Sequence, residues 1–251
     1  MPVADWRVRA VADRIAERLA AEGAQAVVLA GSHARGEATD LSDLDLYAIG
    51  NGPLYQLEVV DGMLVAISWR TAEEEAAALQ DPARVGAVVP AWRHALVLTD
   101  RDGLAARLKE RAEEFEWEAI APACDAWVAE QTVGYAEEVL KLVAARRHGD
   151  PLLAAVQRAV LALRLPGLMA VQHRVLYESE NELWRLVAEA MGPDWARCHA
   201  AALGLDSAGD PDRAAMRLFE LASERVAPLM DARQRGVADF AARAARDLER
   251  N

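Results

Sequence analysis

The segment 27–50 constrains the fold of this chain more than any other part of its sequence. It reads as a short apolar strand, a tight bend at Gly31 and Ser32, a short helix, and a second strand that carries Asp43 and Asp45. Because side chains alternate across a strand, the two carboxylates point to one side and the leucines beside them to the other. The segment therefore predicts two neighbouring acidic groups close to a glycine bend.

These residue types suit the chemistry of a phosphorylated ligand. Two adjacent carboxylates repel each other unless a cation lies between them, and Mg²⁺ is the usual occupant that leaves room for phosphate oxygens. We therefore expect Asp43 and Asp45 to bind Mg²⁺. The bend at Gly31 lets the backbone approach a ligand closely, and N–H groups at the start of a helix favour an anion. With the hydroxyl of Ser32 and the charge of Arg35, this bend is predicted to bind a nucleoside triphosphate.

Composition excludes several classes of partner. The 251 residues carry a formal net charge of −12 and no long basic run, so we expect no nucleic-acid partner. The sequence shows no apolar stretch of about twenty residues and no signal-peptide pattern, so we expect a cytoplasmic protein without a membrane partner.

Strand patterns precede helix patterns along the chain. This order predicts an α+β fold, with a mixed sheet and flanking helices in residues 1–110 and an all-helical bundle in residues 111–251. Residues 82–92 read as irregular, and Pro166 with Gly167 predicts a break between two helices of the bundle.

The hairpin that follows the acidic segment has a predicted register. Its apolar faces coincide only if Val59 pairs with Met63, which requires a three-residue turn with Gly62 in the left-handed conformation. In this register Glu58 faces the same side of the sheet as Ala66.

Segment 27–50 resembles the signature of the nucleotidyltransferases of the DNA polymerase beta superfamily. Two helical runs are similar to parts of the kanamycin-type aminoglycoside nucleotidyltransferases: residues 128–141, with a V-x-E…Y-A pattern, and residues 168–177, with His-Arg followed by Tyr. The resemblance implies Mg²⁺-dependent transfer of a nucleoside monophosphate from ATP or GTP to a hydroxyl of a small, aminoglycoside-like molecule, and with it antibiotic resistance. It also implies a homodimer that forms through the substrate-binding residues 111–251.

Two positions depart from the family pattern. Ala66 stands where the family has a third carboxylate, and Gly134 stands where the kanamycin-type enzymes have the Glu that deprotonates the acceptor hydroxyl. Glu58 is the candidate replacement for the third carboxylate, because a diagonal neighbour across two strands lies about 7–8 Å away. The alternative is a solvated carboxylate on a hairpin.

The first helical run offers replacements for the missing base. Glu130 and Glu138 lie on roughly one helical face, and either is a candidate base or substrate ligand. Lys141 is a candidate phosphate ligand, or it pairs with an acidic neighbour one helical turn away.

Three functions therefore stay open. The first is an enzyme that modifies a small molecule, and the second is an enzyme that nucleotidylates a protein; the intact bend and acidic pair favour both. The third is a nucleotide-binding protein with lost or weak catalysis, which Ala66 and Gly134 favour.

Overall fold

The computed structural model describes residues 6–206 and 209–249. The chain divides into two compact units, residues 1–119 and residues 120–251. A mixed five-stranded sheet with helices makes up the first unit, and helices make up the second. This architecture confirms the predicted α+β class. The first unit extends beyond the expected boundary at residue 110 and includes the whole of a helix that ends at Glu113.

The first unit contains ten helices and strands among its described residues. In chain order they are α1 (Trp6–Ala21), β1 (Ala26–Leu29), α2 (Gly31–Arg35), β2 (Leu44–Ile49), β3 (Tyr55–Val60), β4 (Met63–Arg70), α3 (Ala72–Ala78), α4 (Val85–His94), β5 (Leu96–Asp100) and α5 (Leu104–Glu113).

The strand order β3-β4-β2-β1-β5 places the acidic segment at the centre of the sheet. β2 runs parallel to β4, and β1 runs antiparallel to β2 and β5. One face of the sheet forms a core with an apolar stripe of α1, whose buried members include Val8, Val11, Ile15 and Leu19. Leu44, Leu46, Val65 and Ile67 point to this core from β2 and β4. The residues that alternate with them, Asp45 among these, therefore point to the opposite face.

The hairpin between β3 and β4 differs from the predicted register. Val60, not Val59, pairs with Met63, so the turn has two residues instead of three. Both turn residues have positive φ, 52° at Asp61 and 81° at Gly62. A two-residue turn with this backbone matches the right-handed twist of paired strands. The prediction was wrong because aspartate also tolerates the left-handed conformation, so that Asp61 and Gly62 alone form the turn.

Residues 82–92 are not irregular, since most of them belong to α4. Val85, Val89 and Trp92 recur at helical spacing and are fully buried. Burial of this stripe stabilises a helix despite Pro90, which lacks a backbone N–H.

The second unit contains seven α-helices among its described residues. They are α6 (Ala121–Gly134), α7 (Ala136–His148), α8 (Pro151–Gln172), α9 (Glu180–Met191), α10 (Pro193–Ala202), α11 (Pro211–Val226) and α12 (Ala232–Glu249). Single 3₁₀ turns lie at Trp117–Ile120 and Ala227–Leu229.

α8 runs without a break through Pro166, so the predicted division at Pro166 and Gly167 was wrong. Leu165 and Pro166 are buried, and α8 packs against α6, α7, α9 and α11. This packing offsets the hydrogen bond that proline cannot donate. By length and composition alone α8 could cross a membrane, a criterion that core helices of soluble proteins also meet.

Candidate functional site

The bend at Gly31 lies directly against the carboxylate of Asp45. The Ala30 N–H donates a hydrogen bond to the Asp45 carbonyl oxygen at 2.9 Å, which fixes the bend beside β2. Gly31 has a φ of +66°, and a Cβ at this position would overlap Oδ2 of Asp45 and lie 3.0 Å from its Cγ. Only glycine therefore allows both the backbone conformation and this approach of the carboxylate.

Asp45 carries an unusual carboxyl group. Burial and, second, the negative charge of Asp43 raise the pKa of Asp45 to about 6, against an opposing effect of Arg35. Asp43 directly precedes β2 and is half-buried. The charge of Asp43 therefore acts on Asp45, and a bound cation would favour the ionised form of Asp45.

Arg35 ends the five-residue helix α2 with its side chain only 10% exposed. Its Nε donates to Glu37 Oε2 at 2.8 Å. Ser32 lies half-buried in the same helix, and no side chain caps the helix at Ala30. The structure thus places the three predicted nucleotide-binding residues of this bend near Asp45: Gly31, Ser32 and Arg35.

Ala66 of β4 is the direct neighbour of Asp45 in the parallel register. It is 5% exposed and offers no ligand atom from its side chain. Within residues 6–206 and 209–249, no three His, Cys, Asp or Glu side chains gather into a group that could hold a metal ion. A cation at Asp45 would therefore take protein oxygens from two carboxylates and its other ligands from water or substrate.

Glu58 does not replace the missing carboxylate. The observed register places it opposite Val65, on the α1 face of the sheet, whereas Asp45 and Ala66 point to the other face. Its carboxylate accepts hydrogen bonds from both terminal nitrogens of Arg18 in α1, one of them at 3.1 Å. The observed register differs from the predicted one by one residue, so every side chain of β3 points to the opposite face of the sheet from the one predicted.

The remaining predicted site residues belong to the second unit. Glu130 on α6 is exposed and accepts hydrogen bonds from Gln234 Nε2 at 3.0 Å and Arg233 Nη2 at 3.4 Å. Lys141 on α7 pairs with Glu138 at 3.1 Å and Glu137 at 3.5 Å. Their roles as base and phosphate ligand stay predictions.

The sequence did not predict a cavity of about 150 Å³ that lies on the Asp45 face of the sheet. Its polar lining consists of Tyr47, Ser68, Arg70, Glu75 and Arg84. Burial and, second, the charge of Asp45 raise the pKa of Tyr47 to about 12. The alternation of side chains along β2 and β4 could have placed Tyr47, Ser68 and Arg70 on the same face as Asp45 and Ala66. The other wall of the cavity is formed by α4, a helix that the sequence did not predict.

Comparisons with known proteins identify what the chain is similar to. Residues 9–122 match a family model described as a nucleotidyltransferase domain. No curated protein sequence matches the chain. Among solved structures, a nucleotidyltransferase-like protein from Exiguobacterium sibiricum has a TM-score of 0.54 and 14% identity, over 92% of this chain and 78% of that one. At this identity the likeness shows a shared fold, and the kanamycin-type resemblance is not confirmed. The part of the chain that contains the Gly31 bend and the acidic pair is thus similar to a nucleotidyltransferase domain.

Proposed function

We propose that the protein transfers a nucleoside monophosphate from a nucleoside triphosphate, ATP or GTP, to a hydroxyl group of a small molecule. The observation that carries the proposal is the contact between the Asp45 carboxylate and the Gly31 bend, inside the region that matches a nucleotidyltransferase domain. This contact supports the proposal, because carboxylate oxygens that could hold a metal lie next to the backbone that would hold phosphates.

Asp43 and Asp45 would hold Mg²⁺. The repulsion that contributes to the raised pKa of Asp45 is what a divalent cation relieves, so these residues fit the ion. When bound, Mg²⁺ supplies positive charge that stabilises the triphosphate and the leaving pyrophosphate. Ser32 and Arg35 would orient the triphosphate by hydrogen bonding and charge.

In the proposed reaction the acceptor oxygen forms a bond to the α-phosphorus, and the bond between that phosphorus and the bridging oxygen of pyrophosphate breaks. The hydroxyl proton passes to a base. We propose Glu130 for this role, one helical turn before Gly134, and Lys141 as a phosphate ligand; both stand in the helical unit. In this proposal residues 111–251 bind substrate and form a homodimer, and the protein is cytoplasmic.

A second candidate is a nucleotide-binding protein with weak or lost turnover. Ala66 favours it, because the neighbour of Asp45 contributes no carboxylate. A third is nucleotidylation of a protein.

An assay with labelled ATP or GTP, Mg²⁺ and a panel of hydroxyl-bearing molecules, aminoglycosides included, separates the candidates. Release of pyrophosphate that depends on an acceptor and disappears in Asp45→Asn supports the enzyme. Mg²⁺-dependent nucleotide binding without release supports the second candidate, and label on a co-purified protein supports the third. Asp13→Asn is the matched control, since it removes one carboxylate from an exposed pair with Arg9 on α1.

A further inference from the structure

We propose that the cavity between the sheet and α4, named here the Arg70 cavity, binds the oxyanion group of the acceptor: a carboxylate or a phosphate. Its polar lining is Tyr47, Ser68, Arg70, Glu75 and Arg84. The assignment of this oxyanion to an acceptor rests on the proposed function, whereas anion binding by the cavity does not.

Two hydroxyl groups in the cavity are available to a ligand. Tyr47 of β2 and Ser68 of β4 are direct neighbours in the parallel register and point to the same face. Neither hydroxyl has a hydrogen-bond partner in the part of the chain that the structure describes. Both are protonated at neutral pH by their ordinary chemistry, so both can donate to an anion.

Among the described residues that line the cavity, two cations stand against one carboxylate. Arg70 donates through Nη1 to the carbonyl oxygens of Leu54 at 3.1 Å and Trp69 at 2.7 Å, which are neutral partners. No carboxylate within ion-pair distance of Arg70 occurs among residues 6–206 and 209–249. Arg70 thus keeps a positive charge that a bound anion would neutralise.

Glu75 does not cancel this charge. It is 5% exposed, its Oε2 accepts a hydrogen bond from Trp92 Nε1 at 2.8 Å, and its Oε1 lies 3.5 Å from Arg84 Nη2. Arg84 therefore balances Glu75, and the lining as a whole carries one net positive charge. A cationic group would meet two guanidinium groups here, which disfavours a polycation such as an aminoglycoside.

Size and position point to the acceptor. The opposite wall is apolar and consists of Ala87, Val88 and Ala91, and the cavity of about 150 Å³ admits one small oxyanion but no multi-ring sugar. Tyr47 follows Asp45 by two residues on the same face, a spacing of about 7 Å along the strand. A small molecule with an anionic group and a hydroxyl at that spacing could occupy the cavity and still present its hydroxyl near Asp45.

The test follows Tyr47 directly by fluorine NMR. Protein with 3-fluorotyrosine at its four tyrosines is titrated with inorganic phosphate and, separately, with acetate, without nucleotide or Mg²⁺. Tyr47→Phe identifies the Tyr47 resonance by its loss. We expect the chemical shift of that resonance to change and to saturate with at least one of the two anions. The anion that saturates the change at the lower concentration shows whether the cavity prefers a phosphate or a carboxylate. Absence of a saturable shift with both anions would overturn the proposal.

Variants locate the binding within the cavity. Arg70→Gln and Ser68→Ala should each weaken the binding by about tenfold or more, since a hydrogen bond to a charged group is lost. Ser68→Ala covers the case in which Arg70→Gln does not fold, because the Ser68 hydroxyl has no hydrogen-bond partner among the described residues that the substitution would remove. Arg14→Gln, at an exposed pair with Asp61, is the charge-matched control. A Tyr47 shift that is unchanged in Ser68→Ala, or that disappears in Ser32→Ala, would place the anion elsewhere and refute the assignment.

The two proposals can fail separately. A saturable Tyr47 shift without nucleotidyl transfer would leave the anion site intact and refute the function. Transfer to aminoglycosides but not to hydroxy acids or sugar phosphates would refute the acceptor class while the function stands.

Discussion

Asp45 of β2 and Ala66 of β4 are direct neighbours in a parallel register, on the sheet face opposite α1. Neighbouring strands lie about 4.8 Å apart, so a carboxylate at position 66 would join Asp43 and Asp45 around one cation. We expect Ala66→Asp to tighten Mg²⁺ binding by about tenfold, because it adds an oxygen ligand and a negative charge. Titration calorimetry with Mg²⁺ and a non-hydrolysable nucleotide measures the change.

Leu64→Asp is the matched control for added charge. Leu64 points to the same face of the same strand, two residues before Ala66, and is 46% exposed. An equal gain in both variants would show a bulk charge effect and contradict the placement of the metal at Asp45.

Gly31→Ala should destabilise the protein and displace the Asp45 carboxylate. Left-handed backbone costs alanine about 1 kcal/mol, and the overlap of its Cβ with Asp45 adds about 1–3 kcal/mol. Gly62→Ala provides the control, because Gly62 has a φ of +81° and a Cβ added there would meet no atom within 4 Å. Urea denaturation measures both losses of unfolding free energy. Equal losses would mean that the contact with Asp45 is looser than the structure shows.

Stability should depend on pH through Asp45. Its pKa rises from 3.8 to about 6 on folding, so the folded chain binds the proton more tightly and loses stability as pH rises across that interval. Without Mg²⁺ we expect Asp45→Asn to raise Tm at pH 7.5 and to change it little at pH 4. Calorimetric scans in EDTA at several pH values test this.

Asp13→Asn again controls for the loss of one carboxylate. A Tm difference for Asp45→Asn that is the same at both ends of the pH range would refute the assignment of the raised pKa. Added Mg²⁺ should raise the Tm of the unsubstituted protein and leave Asp45→Asn unchanged.

Glu58→Gln should leave Mg²⁺ binding intact. Glu58 lies on the α1 face, paired with Arg18, and the two side chains are 30% and 44% exposed. Removing a pair this accessible should cost less than about 1 kcal/mol of unfolding free energy. The same calorimetric titration checks the prediction. A loss of Mg²⁺ affinity as large as that of Asp45→Asn would contradict it and show that Glu58 contributes to Mg²⁺ binding.

The sequence was sufficient where local chemistry fixes local structure. The strand, bend and strand of segment 27–50 follow from apolar runs and the glycine, whereas the family resemblance was needed to place Ala66 beside the acidic pair, as the strand register confirms. Thr71 starts α3 with a capping box in which the Glu74 side chain accepts a hydrogen bond from the Thr71 backbone N–H, and the two residues have the S/T-x-x-E spacing typical of this motif.

Tertiary structure decided the features that depend on one-residue differences or on distant partners. Asp61 adopts a left-handed conformation, so the turn has one residue fewer than predicted. Because strand side chains alternate with a period of two, Glu58 therefore lies on the face of the sheet opposite to the predicted one. Burial of Trp92 stabilised α4 against Pro90 and thereby formed a wall of the Arg70 cavity. A sequence alone gives the propensity of each segment, but packing against other segments decides which propensities prevail.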